Sequence, residues 1–432
     1  MNIVVTPKKL AGTITVPPSK SISHRELICA ALADGKSIIH NISPSEDIRA
    51  TCRVLREFGA RIERAEPATD GDALSVEVTG GLKRIVGART ADCGESGSTL
   101  RFLIPVSLLT GGEITFTGRG RLAERPLKPY LRLFEEHRIS CRKGAASLPL
   151  TVQGPLTAGS YELAGNVSSQ FFTGLLLALP LVHGDSLLRS TTEMESVSYV
   201  GITLDVLRRH GVEAECERAG TYRIHGGQHY MPGEYRVEGD YSQAAFWFAA
   251  GAVGSNLKIQ GLSQDSRQGD KAIIPLIRTL GGQIEVSGAA VTALPGRMGG
   301  GTIDVADCPD LVPPLAVLAA CSRGVTQIVR AGRARLKECD RLHAMATELN
   351  RLGAMVEEKE DALIIEGQKR LQGGRVSAWK DHRVAMALAV AAQCCDEPVI
   401  IEDAGCVCKS YPRFWRDFQS LGGIIAKEGR KA

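Results

Sequence analysis

The sequence is poor in aromatic residues and has no apolar run long enough to predict a membrane-spanning helix. Phe, Trp and Tyr together make up 5% of the 432 residues. The longest apolar stretch, residues 171–182, is too short for a membrane helix, which needs about 20 such residues. It instead predicts a buried core helix. The N-terminus also lacks the basic, apolar and small-residue order of a secretory signal, so we expect no targeting segment.

A large excess of one charge is also absent. There are 52 Lys and Arg against 48 Asp and Glu, a net charge of +4. Nucleic-acid-binding proteins usually concentrate basic residues on one face, whereas here these residues are scattered. We therefore expect no nucleic-acid partner, and any anion site must be built locally. The 44% hydrophobic residues are typical of a globular protein, and a chain of this length predicts two domains.

The 12 cysteines form none of the usual metal-site patterns. There is no Cys-x-x-Cys pair and no Cys/His cluster at zinc spacing. The neighbours Cys394 and Cys395, like Cys406 and Cys408, are too close for ordinary disulfides. We expect no metal, mostly buried and reduced cysteines, and a cytoplasmic protein.

An internal repeat organises the chain. In each copy a helical apolar run ends in a glycine, and a strand-like apolar segment follows. Such a glycine closes a helix in the left-handed conformation that a Cβ disfavours. The copies are spaced by about 70 to 80 residues and centre on Gly59, Gly211, Gly281, Gly353 and Gly422. In a sixth, weaker copy, His137 occupies the glycine position. Six units divide into two similar halves of three.

Two turn-rich points mark the expected boundaries between the halves. Pro17 and Pro18 end the first predicted strand, and Gly239 and Asp240 precede a helix predicted to begin near Tyr241 or Ser242. We therefore predict one domain of residues 1–18 plus 240–432 and a second of residues 19–239. The chain would cross between the domains twice.

Several cation-bearing segments in the first half are candidate anion sites. Residues 17–25, PPSKSISHR, place Lys20 in a loop before a helix predicted from Glu26 to Ala33. Residues 93–101 form a Gly/Ser loop that is not a P-loop, and residues 119–129 are rich in Arg, Lys and Pro. Residues 165–170, GNVSSQ, precede the buried helix. Helix caps and solvated charges are the alternative interpretation of each segment.

The second half adds charged segments at residues 307–310, 335–341, 380–383 and 409–412. Lys337 and Arg341 are predicted to be i, i+4 neighbours on one helix face, with Glu338 close by. Intrahelical ion pairing is the alternative to a binding site.

In this order the segments resemble the 5-enolpyruvylshikimate-3-phosphate (EPSP) synthase family over nearly the whole chain. The most specific motifs are PSKSISHR, SSQFFTGLLLALP, LKECDRL-AMATEL, DHRVAMALA and KSYPRF. The resemblance implies an α/β (α+β) fold of two similar domains. Each would have three βαβαββ units with buried helices and outer sheets, and the active site would lie in the interdomain cleft.

The resemblance also implies the reaction. The enolpyruvyl group of phosphoenolpyruvate would pass to the 5-hydroxyl of shikimate 3-phosphate with release of phosphate, in chorismate biosynthesis. No cofactor is implied, and we expect a monomer.

The resemblance assigns site residues at matching positions. Those implied for shikimate 3-phosphate are Lys20, Ser21, Arg25, Ser168, Ser169, Gln170, Ser196, Tyr199, Asp310 and Lys337. Those implied for phosphoenolpyruvate are Lys20, Gly97, Arg125, Gln170, Arg341, Arg383 and Lys409. For the implied chemistry we choose Asp310 as the base for the hydroxyl proton. Glu338 is the first candidate for the acid at C3, with Lys20 as the alternative.

Three positions depart from the family pattern. Phe102 stands where many members have Pro, beside the implied phosphoenolpyruvate pocket, and Arg333 replaces a frequent Asn. Glu95 stands where the family usually has Asn. A carboxylate near an anion site must point away from it or pair with a cation, such as Arg101 or Arg125.

Two other functions are weighed against this one. Many UDP-N-acetylglucosamine enolpyruvyl transferases use a cysteine in the loop matching residues 111–125, and no cysteine lies between Cys93 and Cys141 here. A noncatalytic phosphate-binding protein on the same fold would be expected to lose Lys20, Asp310 or Glu338, and all three are present.

Overall fold

The computed structural model describes residues 1–65, 74–288, 290–296 and 298–429. The chain divides into two compact units. The terminal unit is Met1–Pro17 with Gly239–Ala432, and the central unit is Pro18–Glu238. Both divisions fall one residue before the predicted boundaries. Within the described ranges, no helix is long and apolar enough to cross a membrane.

Helices of two kinds alternate along the chain. The first, third and fifth helices of each unit are buried on nearly every side, which is typical of core helices. The helices between them bury one face only. The described residues form α1 Lys20–Leu32, α2 Glu46–Glu57, α3 Gly97–Ser107, α4 Lys128–Glu136, α5 Gln170–Ala178, α6 Val197–Arg209, α7 Tyr241–Ala252, α8 Ile273–Thr279, α9 Val312–Ala320, α10 Arg341–Arg351, α11 His382–Ala391 and α12 Phe414–Ser420. The buried helix predicted within residues 171–182 is α5, and α7 begins at Tyr241 as predicted.

The strands of the described residues form six four-stranded sheets, three in each unit. They are β1 Ile3–Thr6, β2 Ala11–Thr15, β3 Lys36–Ile42, β4 Arg61–Arg64, β5 Leu74–Thr79, β6 Ala88–Asp92, β7 Glu113–Thr117, β8 Ser140–Lys143, β9 Leu150–Gln153, β10 Ser160–Leu163, β11 Ser186–Ser190, β12 Ala214–Arg218, β13 Thr221–Ile224, β14 Glu234–Arg236, β15 Asn256–Gln260, β16 Gln283–Ser287, β17 Ala290–Leu294, β18 Gly301–Asp304, β19 Val325–Val329, β20 Met355–Glu358, β21 Ala362–Glu366, β22 Gly374–Ser377, β23 Val399–Glu402 and β24 Ile424–Lys427.

All six sheets share one topology. In the sheet of order β6-β7-β9-β8, β6 is parallel to β7, which is antiparallel to β9, and β8 pairs antiparallel with β9. With α3 and α4 as connections, this is a βαβαββ unit. Strand β7 buries Ile114 and Phe116 and leaves the alternate residues less buried, so one face of the sheet packs on the helices and the other faces outward. The predicted fold of three βαβαββ units in each half is confirmed.

The N-terminal strands complete sheets of the terminal unit. Strand β1 lies between β23 and β24, with Ile3 opposite both Ile401 and Lys427. Strand β2 pairs in parallel with β15. In the central unit, β14 likewise supplies the edge strand of the sheet that contains β3.

The glycine repeat is confirmed at its five strong copies. Each of these glycines follows a helix and has a φ between 75° and 98°. The sixth copy is wrong by one residue. Helix α4 ends at Glu136, His137 has φ −93°, and Arg138 takes the left-handed position with φ 56°. The His137 ring instead stacks on Tyr161, with the ring centroids 4.2 Å apart.

We expect Arg138→Gly to raise the free energy of unfolding by about 0.5 to 1 kcal/mol. A left-handed conformation costs a residue with a Cβ about 1 to 2 kcal/mol, and the greater freedom of glycine in the unfolded chain offsets part of that gain. Urea denaturation measures the change. As a control, Arg132→Gly within α4 should lower stability by about 1 kcal/mol. A loss of stability in both variants would contradict the assignment of Arg138 as the left-handed residue that closes α4.

Candidate active site

Several predicted site residues of the central unit lie at the N-terminal ends of its buried helices. Lys20 and Ser21 open α1, Gly97 opens α3 and Gln170 opens α5. Helix N-termini present unpaired N–H groups and the positive end of the helix dipole, and both favour anions. The architecture therefore gathers anion-binding groups in this part of the unit.

Helix α1 starts earlier than the sequence predicted. It begins at Lys20 and not at Glu26, because Ser19 caps it by accepting a hydrogen bond from the Ile22 N–H at 3.4 Å. Lys20 therefore lies on the helix and not in a loop. Its Nζ pairs with the Asp47 carboxylate of α2 at 2.7 Å. Asp47 was not predicted as a site residue.

Arg25 joins the starts of α1 and α6. It is 1% exposed and donates to the carbonyls of Ser21 at 2.7 Å and Tyr199 at 3.0 Å, and to Thr203 Oγ1 at 2.8 Å. Its guanidinium lies over the Phe102 ring. Burial lowers the pKa of Arg25 to about 10, so it stays charged at neutral pH. Three predicted residues, Ser21, Arg25 and Tyr199, are thus brought together.

Gln170 is the centre of a second group in the central unit. Its Oε1 accepts from Arg101 Nη1 at 2.9 Å, and its Nε2 donates to Ser98 Oγ at 3.0 Å. A Cβ on Gly97 would lie 2.7 Å from Arg125 Nη1 and 3.7 Å from Gln170 Oε1. Gly97 therefore lets Arg125 approach the start of α3. Arg101 was not among the predicted site residues, although its position one helical turn after Gly97 was a usable signal.

The predicted serines hold the first turns of two helices. Ser168 Oγ accepts from the Gln170 N–H at 3.3 Å, and the Ser169 carbonyl accepts from Thr173. Ser196, with φ 54°, precedes α6 and accepts from the Tyr199 N–H through its carbonyl. All three serines are buried, and the contacts named here are those that start the helices.

Glu95 lies beside the backbone of Gly120, at the start of the 3-10 turn Gly120–Glu124. Gly120 has φ 57° and no Cβ, which leaves room for the carboxylate. Pairing of Glu95 with Arg101 or Arg125 stays a prediction.

The terminal unit holds a cluster centred on Asp310, in the 3-10 turn before α9. One Asp310 oxygen accepts from Arg341 at 2.7 Å and lies 3.1 Å from Lys337 Nζ, and the other accepts from Arg383 at 3.0 Å. Burial alone would raise the pKa of Asp310. The charges of Arg383, Lys337 and Arg341 outweigh burial and hold that pKa well below its ordinary value. Four predicted residues converge here.

Arg341 links this cluster to two further carboxylates. It is 1% exposed and binds Asp381 and Glu338, each at 2.8 Å. Asp381 also caps α11 by accepting from the Arg383 N–H at 2.8 Å. Asp381 was not predicted as a site residue, although an Asp just before a helix is a capping signal.

The prediction that Lys337 and Arg341 share a helix face is wrong. Lys337 follows the 3-10 turn Gly332–Leu336 in an extended conformation. Helix α10 begins only at Arg341, because Asp340 caps it by accepting from the His343 N–H at 3.1 Å. The two cations meet because both contact Asp310, and not through helical spacing.

The last predicted cation of the terminal unit is Lys409. It is 4% exposed and ends the 3-10 turn Ala404–Lys409. The next residue, Ser410, accepts a hydrogen bond from Gln243 of α7, which fixes the end of this turn beside a buried helix.

Asp270 is a buried carboxylate next to the Asp310 cluster. Arg383 donates to the Ser242 carbonyl at 3.4 Å, and the Ser242 hydroxyl donates to Asp270. Burial, together with the charge of Asp310, raises the pKa of Asp270 to about 6. Sequence reasoning gave Asp270 no role.

We expect Asp270→Asn to stabilise the protein at high pH. An unfolded Asp ionises at a pKa of about 3.9, so the cost of the buried carboxylate grows as the pH rises and is complete above the folded pKa of about 6. The variant should gain about 2 to 3 kcal/mol near pH 8, and about half of that gain should remain at pH 5. Urea denaturation at both pH values measures it, and the exposed Asp265→Asn is the control. A gain independent of pH would contradict this account.

Comparison with solved structures defines the class of the fold. The EPSP synthase of Acinetobacter baumannii matches with a TM-score of 0.80 at 24% identity, over 99% of this chain and 100% of that one. The enolpyruvyl transferase NikO of Streptomyces tendae matches with a TM-score of 0.79 at 19% identity, over 98% of both chains. The fold is that of the enolpyruvyl transferases.

Sequence comparison is more specific. A family model described as EPSP synthase (3-phosphoshikimate 1-carboxyvinyltransferase) matches residues 4–418. The 3-phosphoshikimate 1-carboxyvinyltransferases of Clostridium kluyveri and Clostridium novyi are 48% and 49% identical, each over 98% of both chains. The chain belongs to the EPSP synthase family and is an enzyme of aromatic amino acid biosynthesis. The resemblance inferred from the motifs is confirmed.

Proposed function

We propose that this chain transfers the enolpyruvyl group of phosphoenolpyruvate to the 5-hydroxyl of shikimate 3-phosphate. The Asp310 cluster and the residues at the helix starts of the central unit would carry out this transfer. The observation that carries the proposal is the Asp310 carboxylate, which is 15% exposed and is bound by Arg341, Lys337 and Arg383. A base beside several cations suits a reaction whose two substrates bear phosphates and a carboxylate, because arginine and lysine bind such groups. The family membership supports the choice of substrates.

The reaction is an addition followed by an elimination. The 5-hydroxyl oxygen forms a bond to C2 of phosphoenolpyruvate while C3 gains a proton, which gives a tetrahedral ketal. The C2–O bond to phosphate then breaks as C3 loses a proton. We assign Asp310 as the base for the hydroxyl and Glu338 as the acid for C3, with Lys20 as the alternative acid. Arg341 binds both carboxylates and so fixes one relative to the other.

Substrate binding would also activate the base. With three cations around it, the low pKa of Asp310 makes it a weak proton acceptor. The phosphate and carboxylate groups of the substrates would draw Arg341, Arg383 and Lys337 toward themselves. The pKa of Asp310 would then rise toward the range in which a base works well.

The groups of the central unit would take the remaining anionic and hydroxyl groups. For phosphoenolpyruvate we propose Lys20, Gly97, Arg125 and Gln170 there, with Lys409 in the terminal unit. For shikimate 3-phosphate we propose Ser168, Ser169, Ser196 and Tyr199, with Ser21 and Arg25 at the start of α1. The closeness of Arg125 Nη1 to the position that a Cβ on Gly97 would take supports this grouping, since it places a cation at a helix N-terminus.

A phosphate-release assay tests the proposal. The purified chain should release phosphate from phosphoenolpyruvate only when shikimate 3-phosphate is present. Release with UDP-N-acetylglucosamine in its place, or with no acceptor, would overturn the assignment. Absence of release under every condition would favour the noncatalytic alternative. The family model and the relatives do not favour the UDP-sugar reaction.

A further inference from the structure

A network of buried hydrogen bonds joins three helices of the central unit. His24 Nδ1 lies 2.7 Å from Thr51 Oγ1, which lies 2.6 Å from Thr99 Oγ1. The Thr99 hydroxyl donates to Ser96 Oγ at 2.7 Å. All four side chains are fully buried, and none has a part in the proposed transfer reaction. We call these four residues the histidine–hydroxyl network.

The network lies one helical turn from the ion pair of Lys20 and Asp47. His24 follows Lys20 by four residues on α1, and Thr51 follows Asp47 by four residues on α2. Residues at this spacing share a helix face. The Lys20–Asp47 pair and the His24–Thr51 bond, both 2.7 Å long, are therefore successive contacts between the same faces of the two helices. The second bond helps to set the distance at which Lys20 and Asp47 meet.

The other end of the network holds the first turn of α3. Ser96 caps this helix, and its Oγ accepts from the Thr99 N–H at 3.2 Å as well as from the Thr99 hydroxyl. Thr99 Oγ1 also lies 3.5 Å from the Asp47 carbonyl. Gly97 lies between the two residues that form this cap. Hydrogen bonds thus connect His24 to the helix N-terminus that we assign to phosphoenolpyruvate.

The hydrogens of the network run in one direction. A hydroxyl has a single hydrogen, and Thr99 gives its hydrogen to Ser96. Thr51 must then donate to Thr99, and His24 must donate to Thr51 through Nδ1–H. The second ring nitrogen, Nε2, is buried and has no hydrogen-bond partner among the described residues. A bare Nε2 agrees with this direction, because buried N–H groups without a partner are rare.

Burial keeps His24 uncharged. Together with the positive charges of Lys20 and Arg25, burial outweighs the negative charge of Asp47 and lowers the pKa of His24 to about 3. The imidazole therefore donates a hydrogen bond without adding a charge. A cation in its place would compete with Lys20 for the Asp47 carboxylate, whereas the neutral ring leaves that ion pair intact.

We propose that His24, as the Nδ1–H tautomer, is a positioning residue that fixes Lys20 and the N-terminus of α3 for phosphoenolpyruvate. This inference rests on the proposed function, in which Lys20 and Gly97 bind that substrate. His24 is fully buried and acts through Thr51 and Thr99. Without its donor, α1 and α2 lose the bond that holds their facing surfaces together beside the Lys20–Asp47 pair.

Steady-state phosphate release by a matched pair of variants tests the proposal. Asn and Leu have nearly the same shape, but only the Asn amide can donate from the place of Nδ1. His24→Leu should raise the KM for phosphoenolpyruvate about tenfold, the effect of one lost buried hydrogen bond. His24→Asn should keep it within about twofold of the wild type. A smaller folded fraction alone would lower the rate and leave KM unchanged, so equal KM values in the two variants would overturn the proposal.

A second matched pair covers the case in which His24→Leu does not fold. Thr51→Val keeps the shape of the side chain and removes its hydroxyl, whereas Thr51→Ser keeps the hydroxyl. The KM for phosphoenolpyruvate should rise about tenfold in the first variant only. An unchanged KM in Thr51→Val would show that the network does not position the site.

The tautomer has a spectroscopic signature. In an imidazole ¹⁵N–¹H spectrum of the wild type, the signals that His24→Asn removes should show a protonated Nδ1 and a bare Nε2. They should not change between about pH 6 and pH 8, where an ordinary imidazole titrates. A protonated Nε2 would overturn the proposal. This spectrum needs no substrate, so it would still decide the tautomer if the wild type released no phosphate, a result that would overturn the proposed function itself.

Discussion

Asp310→Asn is expected to lower kcat by about 10² to 10⁴-fold, the usual contribution of a positioned general base. The amide keeps the shape of the carboxylate but cannot take the hydroxyl proton. The KM for phosphoenolpyruvate should not rise, because Arg341, Lys337 and Arg383 lose a competing anion and stay available for the substrate. Steady-state phosphate release with each substrate varied in turn separates the two parameters.

The matched control for this change is Asp307→Asn, three positions earlier in the same segment. Asp307 is exposed, so its loss should leave both parameters within about twofold of the wild type. Asp310→Asn that turned over at the rate of this control would show that another group is the base. A rise in KM with unchanged kcat would instead make Asp310 a binding residue only.

Arg341→Met is expected to lower the free energy of unfolding by about 3 to 5 kcal/mol, the range for breaking a buried ion pair from one side. The guanidinium is the shared partner of Asp310, Glu338 and Asp381. Its removal leaves these carboxylates crowded together, and Asp381 is fully buried. Urea denaturation measures the loss, and Arg341→Lys, which keeps a charge, should retain part of the stability.

The control is an ion pair at the surface of the same unit. Arg370 pairs with Asp396 at 2.7 Å, and both side chains are more than half exposed. Water and salt screen such a pair, so Arg370→Met should cost about 1 kcal/mol or less. Similar losses for Arg341→Met and Arg370→Met would show that burial does not set the strength of the Arg341 interactions.

The fold was predictable because its signals are local. A helix-closing glycine such as Gly59 or Gly353 can be recognised from its neighbouring residues alone. Because this signal occurs once in each unit, its recurrence gives the number of units. The error at the sixth copy is also local. Arg138 takes the left-handed conformation, which can be predicted from the sequence only where the residue is glycine. The adjacent His137 stacks on Tyr161.

The candidate site was predictable in its segments but not in its pairings. Lys20, Asp310 and Arg383 could be found because they belong to recognisable motifs. Asp47, the partner of Lys20, could not, and neither could Asp270, which accepts from Ser242 beside the Asp310 cluster. Only the packing of the chain brings each of these carboxylates to its place. The expected face shared by Lys337 and Arg341 failed for a related reason: the cap at Asp340 decides where α10 begins.

The pairing of β1 bears on the order in which the protein can fold as it is synthesised. The central unit is continuous, and all its strands have been made once Arg236 has left the ribosome. Strand β1 is among the first segments made, yet its neighbours β23 and β24 are among the last. The central unit can therefore fold during translation. In the terminal unit, the apolar strand β1 stays unpaired until β23 and β24 have been synthesised.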